Sequence, residues 1–267
     1  MGAVTDLEST GALRHQKVLN GAELMRVASL FPESSAAGQR VLPGGLGPLE
    51  DLVCPEGKVG RIAARSLGPA ARPVRAVLFD KSPQANWGLG WHQDRTIAVR
   101  ERRECAGFER WSSKSGQVHV EPPAGLSAAM VTLRVHVDAV GHDNAPLLII
   151  AGSHRLGRLT EPAIEVLVRS SVPSSCLADP GDVWAYRTPV VHASAPQSLP
   201  GRRRVLQIDY AAQDLPGGLQ WVDLLSQAIG THSEALTAAN SSTSTRRRTS
   251  AHLSPSTNTS GVKGRLL

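Results

Sequence analysis

Cysteine is scarce in this chain of 267 residues. The chain has three cysteines that lie far apart, Cys54, Cys105 and Cys176. Their odd number and wide spacing match neither a zinc-binding pattern nor a disulfide framework. Disulfides form mainly in oxidising compartments, so their absence is typical of a reducing environment. The cysteine content therefore predicts a cytoplasmic protein.

Long apolar runs are also missing, and no stretch has the ~20 apolar residues that a membrane-spanning helix needs. Residues 1–16 contain acidic side chains early and no apolar stretch of the signal-peptide type. We therefore expect no membrane partner. Hydrophobic residues make up 41% of the chain, which suffices for the core of one large domain, with or without appendages.

The excess of basic residues is confined mostly to one end of the chain. The net charge of +6 invites a nucleic-acid hypothesis. Residues 231–267 hold five basic residues against one acidic residue, a net charge of +4, which leaves +2 for residues 1–230. The same segment is rich in Ser and Thr and poor in large apolar residues, which predicts a disordered tail. We expect no nucleic-acid partner.

The chain divides into three segments by pattern: residues 1–72 mix helix and loop, residues 73–230 are rich in strand signals, and residues 231–267 form the tail. Alternating or short apolar runs predict strands at Val74–Phe79, Met130–Asp138, Pro146–Ile150, Val183–Tyr186 and Arg203–Tyr210. Helices are predicted at Gly21–Phe31, within Glu56–Ala71, and at Glu161–Arg169 with Thr160 as N-cap. Many short strands between turns favour an all-β core with flanking helices, a double-stranded β-helix (jelly roll) of the cupin type.

A histidine and a carboxylate on one strand face are the first chemical signal. His92 and Asp94 lie two residues apart, so on an extended strand both side chains point to the same side. Two histidines and one carboxylate form the facial triad that holds non-heme Fe(II). A second pair, His136 and Asp138, lies on the polar side of a regular strand. We favour the first pair because glycines precede it and let the backbone pass close to a site.

The third ligand of such a triad must come from a later strand, and His192 is the candidate. Ser194 shares its strand face, and after a turn the chain returns with three arginines, Arg202, Arg203 and Arg204. An arginine there can pair bidentately with the far carboxylate of a metal-chelated 2-oxoacid. Arg203 and Arg204 face opposite sides of a strand, so both cannot serve.

The order of these motifs resembles the phytanoyl-CoA dioxygenase family of Fe(II)/2-oxoglutarate-dependent oxygenases, over roughly residues 74–212. The resemblance rests on Trp91-His92-Gln93-Asp94, on Asp143-Asn144-Ala145-Pro146-Leu147 with Gly152-Ser153-His154, and on Gly181-Asp182 before His192, Ser194 and Arg203. It departs from the family at two loops, Asn144-Ala145-Pro146 and Ala151-Gly152-Ser153-His154, where the family usually has Asn-Gly-Pro and Pro-Gly-Ser-His.

The resemblance implies roles for individual residues. His92, Asp94 and His192 would bind iron, and Arg203 with Ser194 would bind 2-oxoglutarate. Trp111 would line the co-substrate site, with core packing as the alternative.

The resemblance also implies an activity: a dioxygenase that uses Fe(II), 2-oxoglutarate and O₂ to hydroxylate a small organic molecule, releasing succinate and CO₂. Halogenating relatives replace the carboxylate ligand with a small residue, so Asp94 favours hydroxylation. The alternatives are a cupin-type isomerase, a dioxygenase without 2-oxoglutarate, and a non-catalytic binding module. We expect a monomer or homodimer, and the charged run Arg100–Glu104 is a candidate contact for an anionic substrate.

Overall fold

The structure is a computed structural model that describes residues 7–33 and 38–226. Its α-helices are α1 Leu7–Thr10, α2 Gly21–Ala28, α3 Glu50–Val53, α4 Gly60–Leu67, α5 Ala124–Ala128 and α6 Glu161–Arg169, with 3₁₀ turns at Gly47–Leu49 and Ser153–Leu156. Its strands are β1 Ala12–His15, β2 Gln39–Arg40, β3 Arg72–Lys81, β4 Leu89–His92, β5 Ile97–Val99, β6 Glu109–Lys114, β7 Gln117–Glu121, β8 Val131–His136, β9 Leu147–Ile149, β10 Ser174–Cys176, β11 Val183–Arg187, β12 His192–Ser194 and β13 Arg203–Ala211.

Two antiparallel sheets build the core. The larger has the strand order β1-β11-β8-β13-β3-β2, and the smaller has the order β10-β9-β12-β4. Neighbours in each sheet come from distant parts of the sequence, as in a jelly roll. The predicted fold class, an all-β core with flanking helices, is confirmed.

The larger sheet has one apolar and one polar face, which strand β8 illustrates. Val131, Leu133 and Val135 join the main apolar cluster together with residues of α2, α3 and α4. Thr132 and Arg134 point to the opposite face, yet both are buried. The burial of these two side chains places the polar face of the sheet inside the fold.

The N-terminal segment contributes more than the predicted helices. Helix α2 starts at a capping box between Asn20 and Glu23 and ends at Ala28, three residues before the predicted end. Strands β1 and β2, which the sequence did not predict, pair with β11 and β3 and form the two edges of the larger sheet.

Two further predictions concern a helix and the tail. Helix α6 spans the predicted residues, and the Thr160 hydroxyl accepts a hydrogen bond from the Ala163 amide as the N-cap. The predicted disordered tail, residues 231–267, lies outside the described residues. Within the described part of the chain, no helix is both long enough and apolar enough to cross a bilayer.

Candidate iron and 2-oxoglutarate site

Strand pairing brings the three predicted metal ligands together. His92 on β4 is directly opposite His192 on β12, and their ring centroids are 4.2 Å apart. With Asp94 they offer ligand atoms that all lie within 4.8 Å of one another. Within residues 7–33 and 38–226, no other group of three His, Cys, Asp or Glu residues does so.

Hydrogen bonds orient both imidazole rings. Nδ1 of His92 lies 2.7 Å from the Gly90 carbonyl oxygen, and Nδ1 of His192 lies 2.9 Å from the Val190 carbonyl oxygen. A carbonyl only accepts, so Nδ1 carries the proton and Nε2 keeps the free lone pair that a metal needs. Burial lowers the pKa of His192 to about 4, and this ring is neutral at pH 7.

Asp94 is held in its ionised form by a buried cation. Burial acts to raise the pKa of Asp94, but its charged surroundings, chiefly Arg75, outweigh this effect and lower the pKa to about 2. A terminal nitrogen of Arg75 lies 3.2 Å from Oδ2 of Asp94, and Nε of Arg75 donates to Asp209. Asp209 also accepts a hydrogen bond from the Thr132 hydroxyl at 3.0 Å. The carboxylate ligand is thus fixed by a chain of buried polar contacts.

The competing His-x-Asp pair is separated from this centre. Asp138 forms an ion pair with Arg204, and His136 is buried with no hydrogen-bond partner at either ring nitrogen among the described residues. Burial lowers the pKa of His136 to about 3. Neither His136 nor Asp138 belongs to the group of potential metal ligands in the described part of the chain.

Beside the three ligands lies a small cavity of about 50 Å³, lined also by Ser194 and Arg203. Arg203 is only 2% exposed, donates to the Ala145 carbonyl, and has no partner for Nε among the described residues. Burial and the nearby charge of Arg134 lower the pKa of Arg203 to about 9. The guanidinium stays charged at neutral pH and can accommodate an anion in the cavity.

The partners of the three consecutive arginines distinguish them. Arg202 is paired with Asp80 and Arg204 with Asp138, both on the outer side of the strand. Arg203 alone turns inward and has no carboxylate partner within the described residues. This agrees with the choice of Arg203 that the motif spacing favoured.

Two further cations, Lys81 and Arg134, line the cavity. Nζ of Lys81 donates to Oγ of Ser194 at 3.1 Å and to the Ala195 carbonyl at 2.6 Å. Burial and the charges of Arg203 and Arg134 lower the pKa of Lys81 to about 7. Arg134 donates to Gln207 at 2.9 Å, and its buried Nε has no partner in the described part. The alternation of strand β8 places Arg134 on the polar face that lines the cavity, whereas no pattern in the sequence around Lys81 indicates that it lines the cavity.

Trp111 is not among the residues that line this cavity. It lies on β6 in the separate sheet β5-β7-β6 and packs against the apolar cluster that contains Phe108 and Val120. That arrangement matches the core-packing alternative. The Gln93 side chain has a structural role: it donates to the carbonyl groups of Gly157 and Pro189 and accepts from the Leu159 amide.

The donor set fits Fe(II) and 2-oxoglutarate. Two imidazoles whose Nδ1 atoms are engaged by carbonyl groups and whose Nε2 atoms are left for a metal, together with one ionised carboxylate, match the facial triad, which leaves open positions for a chelating co-substrate. The guanidinium of Arg203, which has no carboxylate partner among the described residues, matches the distal carboxylate of 2-oxoglutarate. His92, Asp94 and His192 could hold the metal, and Arg203 with Ser194 could hold the co-substrate.

Comparisons with known proteins agree with this chemistry. A family model described as phytanoyl-CoA dioxygenase matches residues 56–205. No curated protein sequence matches the chain.

Several crystal structures share the fold at low sequence identity. AviO1 from Streptomyces viridochromogenes Tue57 is 18% identical with a TM-score of 0.53, over 77% of this chain and 91% of that chain. HygX from Streptomyces hygroscopicus, solved with nickel and 2-oxoglutarate bound, is 15% identical with a TM-score of 0.52, over 77% and 84%. SnoN, a non-heme α-ketoglutarate-dependent epimerase from nogalamycin biosynthesis, is 16% identical with a TM-score of 0.53, over 83% and 93%.

Proposed function

The chain belongs to the phytanoyl-CoA dioxygenase family, and from that premise we propose that it hydroxylates a small organic molecule. The family uses Fe(II), 2-oxoglutarate and O₂, and the chain is an iron- and 2-oxoglutarate-dependent enzyme in this broad sense. Hydroxylation with release of succinate and CO₂ is the specific reaction that we propose.

One observation carries the proposal: a His-Asp-His cluster shares one cavity with a buried arginine that has no carboxylate partner in the described part of the chain. A cupin-type metalloprotein without 2-oxoglutarate needs no cation beside its metal ligands. The buried Arg203 would be costly without an anionic partner, because burial of an unpaired charge is unfavourable. The arrangement therefore favours a 2-oxoglutarate-dependent enzyme over the other jelly-roll alternatives.

Each residue has a definite task in this account. When bound, Fe(II), 2-oxoglutarate and O₂ supply the oxidising chemistry. His92, Asp94 and His192 hold the metal on one side and leave its other positions free. Arg203 and Ser194 orient the co-substrate by charge and hydrogen bonding, and the apolar side chains of Phe79 and Leu147 limit access of water to the cavity.

Asp94 bears on the type of reaction. Its carboxylate occupies the position that would otherwise admit a halide, which supports hydroxylation rather than halogenation. The epimerase among the structural neighbours makes hydrogen abstraction without oxygen transfer the second candidate. Turnover under ¹⁸O₂ separates the two, since a hydroxylated product carries ¹⁸O and an epimerised product carries none.

Succinate release from 2-oxoglutarate tests the proposed class. Iron-loaded wild-type protein should form succinate slowly without substrate, and Asp94→Ala should lose this iron-dependent turnover. Arg204→Gln is a suitable control because its arginine pairs with Asp138 outside the cavity. Full activity of Asp94→Ala would contradict the assignment.

A further inference from the structure

A second group of cations lies on the inner face of the fold, apart from Arg203. In the sheet β5-β7-β6, Lys114 is opposite Gln117 and Ser112 is opposite His119, and this alternation places all four on one sheet face. Arg40 on the edge strand β2 is opposite Val77, and so projects from the same face of β3 as Arg75.

His119 orients the guanidinium of Arg40. Nδ1 of His119 lies 3.0 Å from the Gln117 carbonyl oxygen, and Nε of Arg40 donates to Nε2 of His119 at 3.4 Å. His119 is fully buried, and burial is the main reason that its pKa falls to about 4. The neutral ring accepts a hydrogen bond from Nε of Arg40, and the two terminal nitrogens of this guanidinium are left to bind a ligand. Those nitrogens form a planar fork that suits a carboxylate or phosphate.

Strand register relates this group to the metal ligands. Val77, the partner of Arg40 on β3, lies two residues from Arg75, so Arg40 and Arg75 are diagonal neighbours on one sheet face, about 7–8 Å apart. Arg75 in turn lies 3.2 Å from Oδ2 of Asp94. Burial lowers the pKa of Lys114, and the nearby charges of Arg40 and Arg75 act in the same direction, which agrees with this placement.

Within residues 7–33 and 38–226, neither Arg40 nor Lys114 forms an ion pair with a carboxylate. The exposed run after the metal ligands differs in this respect. Arg102 pairs with Glu104 and Arg103 pairs with Glu101, so two of the three arginines in this run have carboxylate partners, and Arg100 donates to Gln220.

The two cationic positions are separate. Strand β3 lies between β13, which carries Arg203, and β2, which carries Arg40. Arg203 pairs with Lys81 of β3, and Arg40 pairs with Val77 of β3. These positions are four residues apart along β3, a distance of about 13 Å. One anion cannot occupy both positions at once unless it is long.

We propose that Arg40 and Lys114 bind an anionic group of the substrate, a carboxylate or a phosphate, while Arg203 binds the co-substrate. This inference rests on the proposed function and narrows its substrate to an anionic small molecule. His119 acts as a positioning residue for Arg40.

Binding of simple anions to the full-length protein tests the inference. The protein is loaded with Co(II) in place of Fe(II) and saturated with 2-oxoglutarate, and inorganic phosphate is followed by its ³¹P line width. We expect saturable broadening by the paramagnetic ion. Arg40→Gln and Lys114→Gln should each weaken the apparent affinity about tenfold. Arg103→Gln, which removes an exposed and already paired arginine, should behave as wild type.

A parallel titration with ¹³C-labelled acetate distinguishes the two anion chemistries, and tighter binding of one ion identifies the substrate group. The inference is overturned if neither ion broadens saturably, or if both variants bind as wild type does, which would indicate an adventitious ion only. The visible Co(II) spectrum provides an independent readout. If the Co(II) spectrum changes on addition of 2-oxoglutarate but neither anion binds, this inference alone is refuted. If the Co(II) spectrum does not change on addition of 2-oxoglutarate, the proposed function is refuted.

Discussion

At the scale of single residues, the inner face of the larger sheet concentrates charge that most protein cores exclude. Arg75 bridges two carboxylates, since it contacts both Asp94 and Asp209. All three side chains are largely buried, so the ionised forms depend on one another. The network gives Asp94 a fixed position before any metal binds.

Removal of the bridging cation should be costly. Arg75→Met leaves two carboxylates buried without their shared partner, and we expect the free energy of unfolding to fall by about 3 kcal/mol. Urea denaturation followed by circular dichroism measures this loss. Arg26→Met, which removes an exposed pair with Asp51, should cost less than about 1 kcal/mol. Equal losses in the two variants would contradict the bridging role of Arg75.

Short sequence motifs predicted those site residues that belong to a recognisable local pattern. His92 and Asp94 share a strand, and spacing related Arg203 to His192, so the sequence alone suggested each of them. Arg75, Lys81 and Arg40 gave no such signal, because their significance lies in which carboxylates they meet or fail to meet. That depends on contacts between distant segments, such as Arg75 with Asp209.

At the scale of secondary structure elements, capping and periodicity rules predicted the elements that interactions between neighbouring residues stabilise. The N-cap at Thr160 and the helical spacing after it predicted α6 with its observed bounds. The edge strands β1 and β2 are short, four and two residues, and exist only because long-range pairing supplies their hydrogen bonds. No periodicity over so few residues can predict them.

The turn that precedes β11 offers a test at this scale. Gly181 has a φ of 86°, and a Cβ there would lie 2.5 Å from the Leu19 carbonyl oxygen. Gly181→Ala should therefore destabilise the protein by about 2 kcal/mol through backbone strain and this close contact. Gly141→Ala is the matched control, because its Cβ would meet nothing within 4 Å. Thermal and urea denaturation of both variants would show the difference, and equal stability would refute the steric argument.

At the scale of the whole molecule, several buried histidines couple stability to pH. Burial lowers the pKa of His119 and His192 to about 4 and that of His136 to about 3. Between pH 6.5 and 4 these rings are protonated in the unfolded chain but neutral in the folded one. The unfolded state then binds more protons, and the stability of the metal-free protein should fall as the pH falls through this range.

Denaturation midpoints measured from pH 7 to pH 4 check this dependence. His136→Gln removes one titrating group away from the metal ligands and should make the decline shallower. A midpoint that stays constant across the range would contradict the assignment of neutral buried histidines.

The central claim is that one cavity holds both the metal and 2-oxoglutarate, with Arg203 as the anchor of the co-substrate. Anaerobic Fe(II) titration with and without 2-oxoglutarate tests it most directly, because chelation of the metal by a 2-oxoacid produces a weak visible charge-transfer band. We predict the band in wild-type protein and in Arg204→Gln. In Arg203→Gln, the concentration of 2-oxoglutarate that gives half of the maximum intensity should be about a hundredfold higher than in wild type. A wild-type protein without the band at saturating Fe(II) and 2-oxoglutarate would contradict the account.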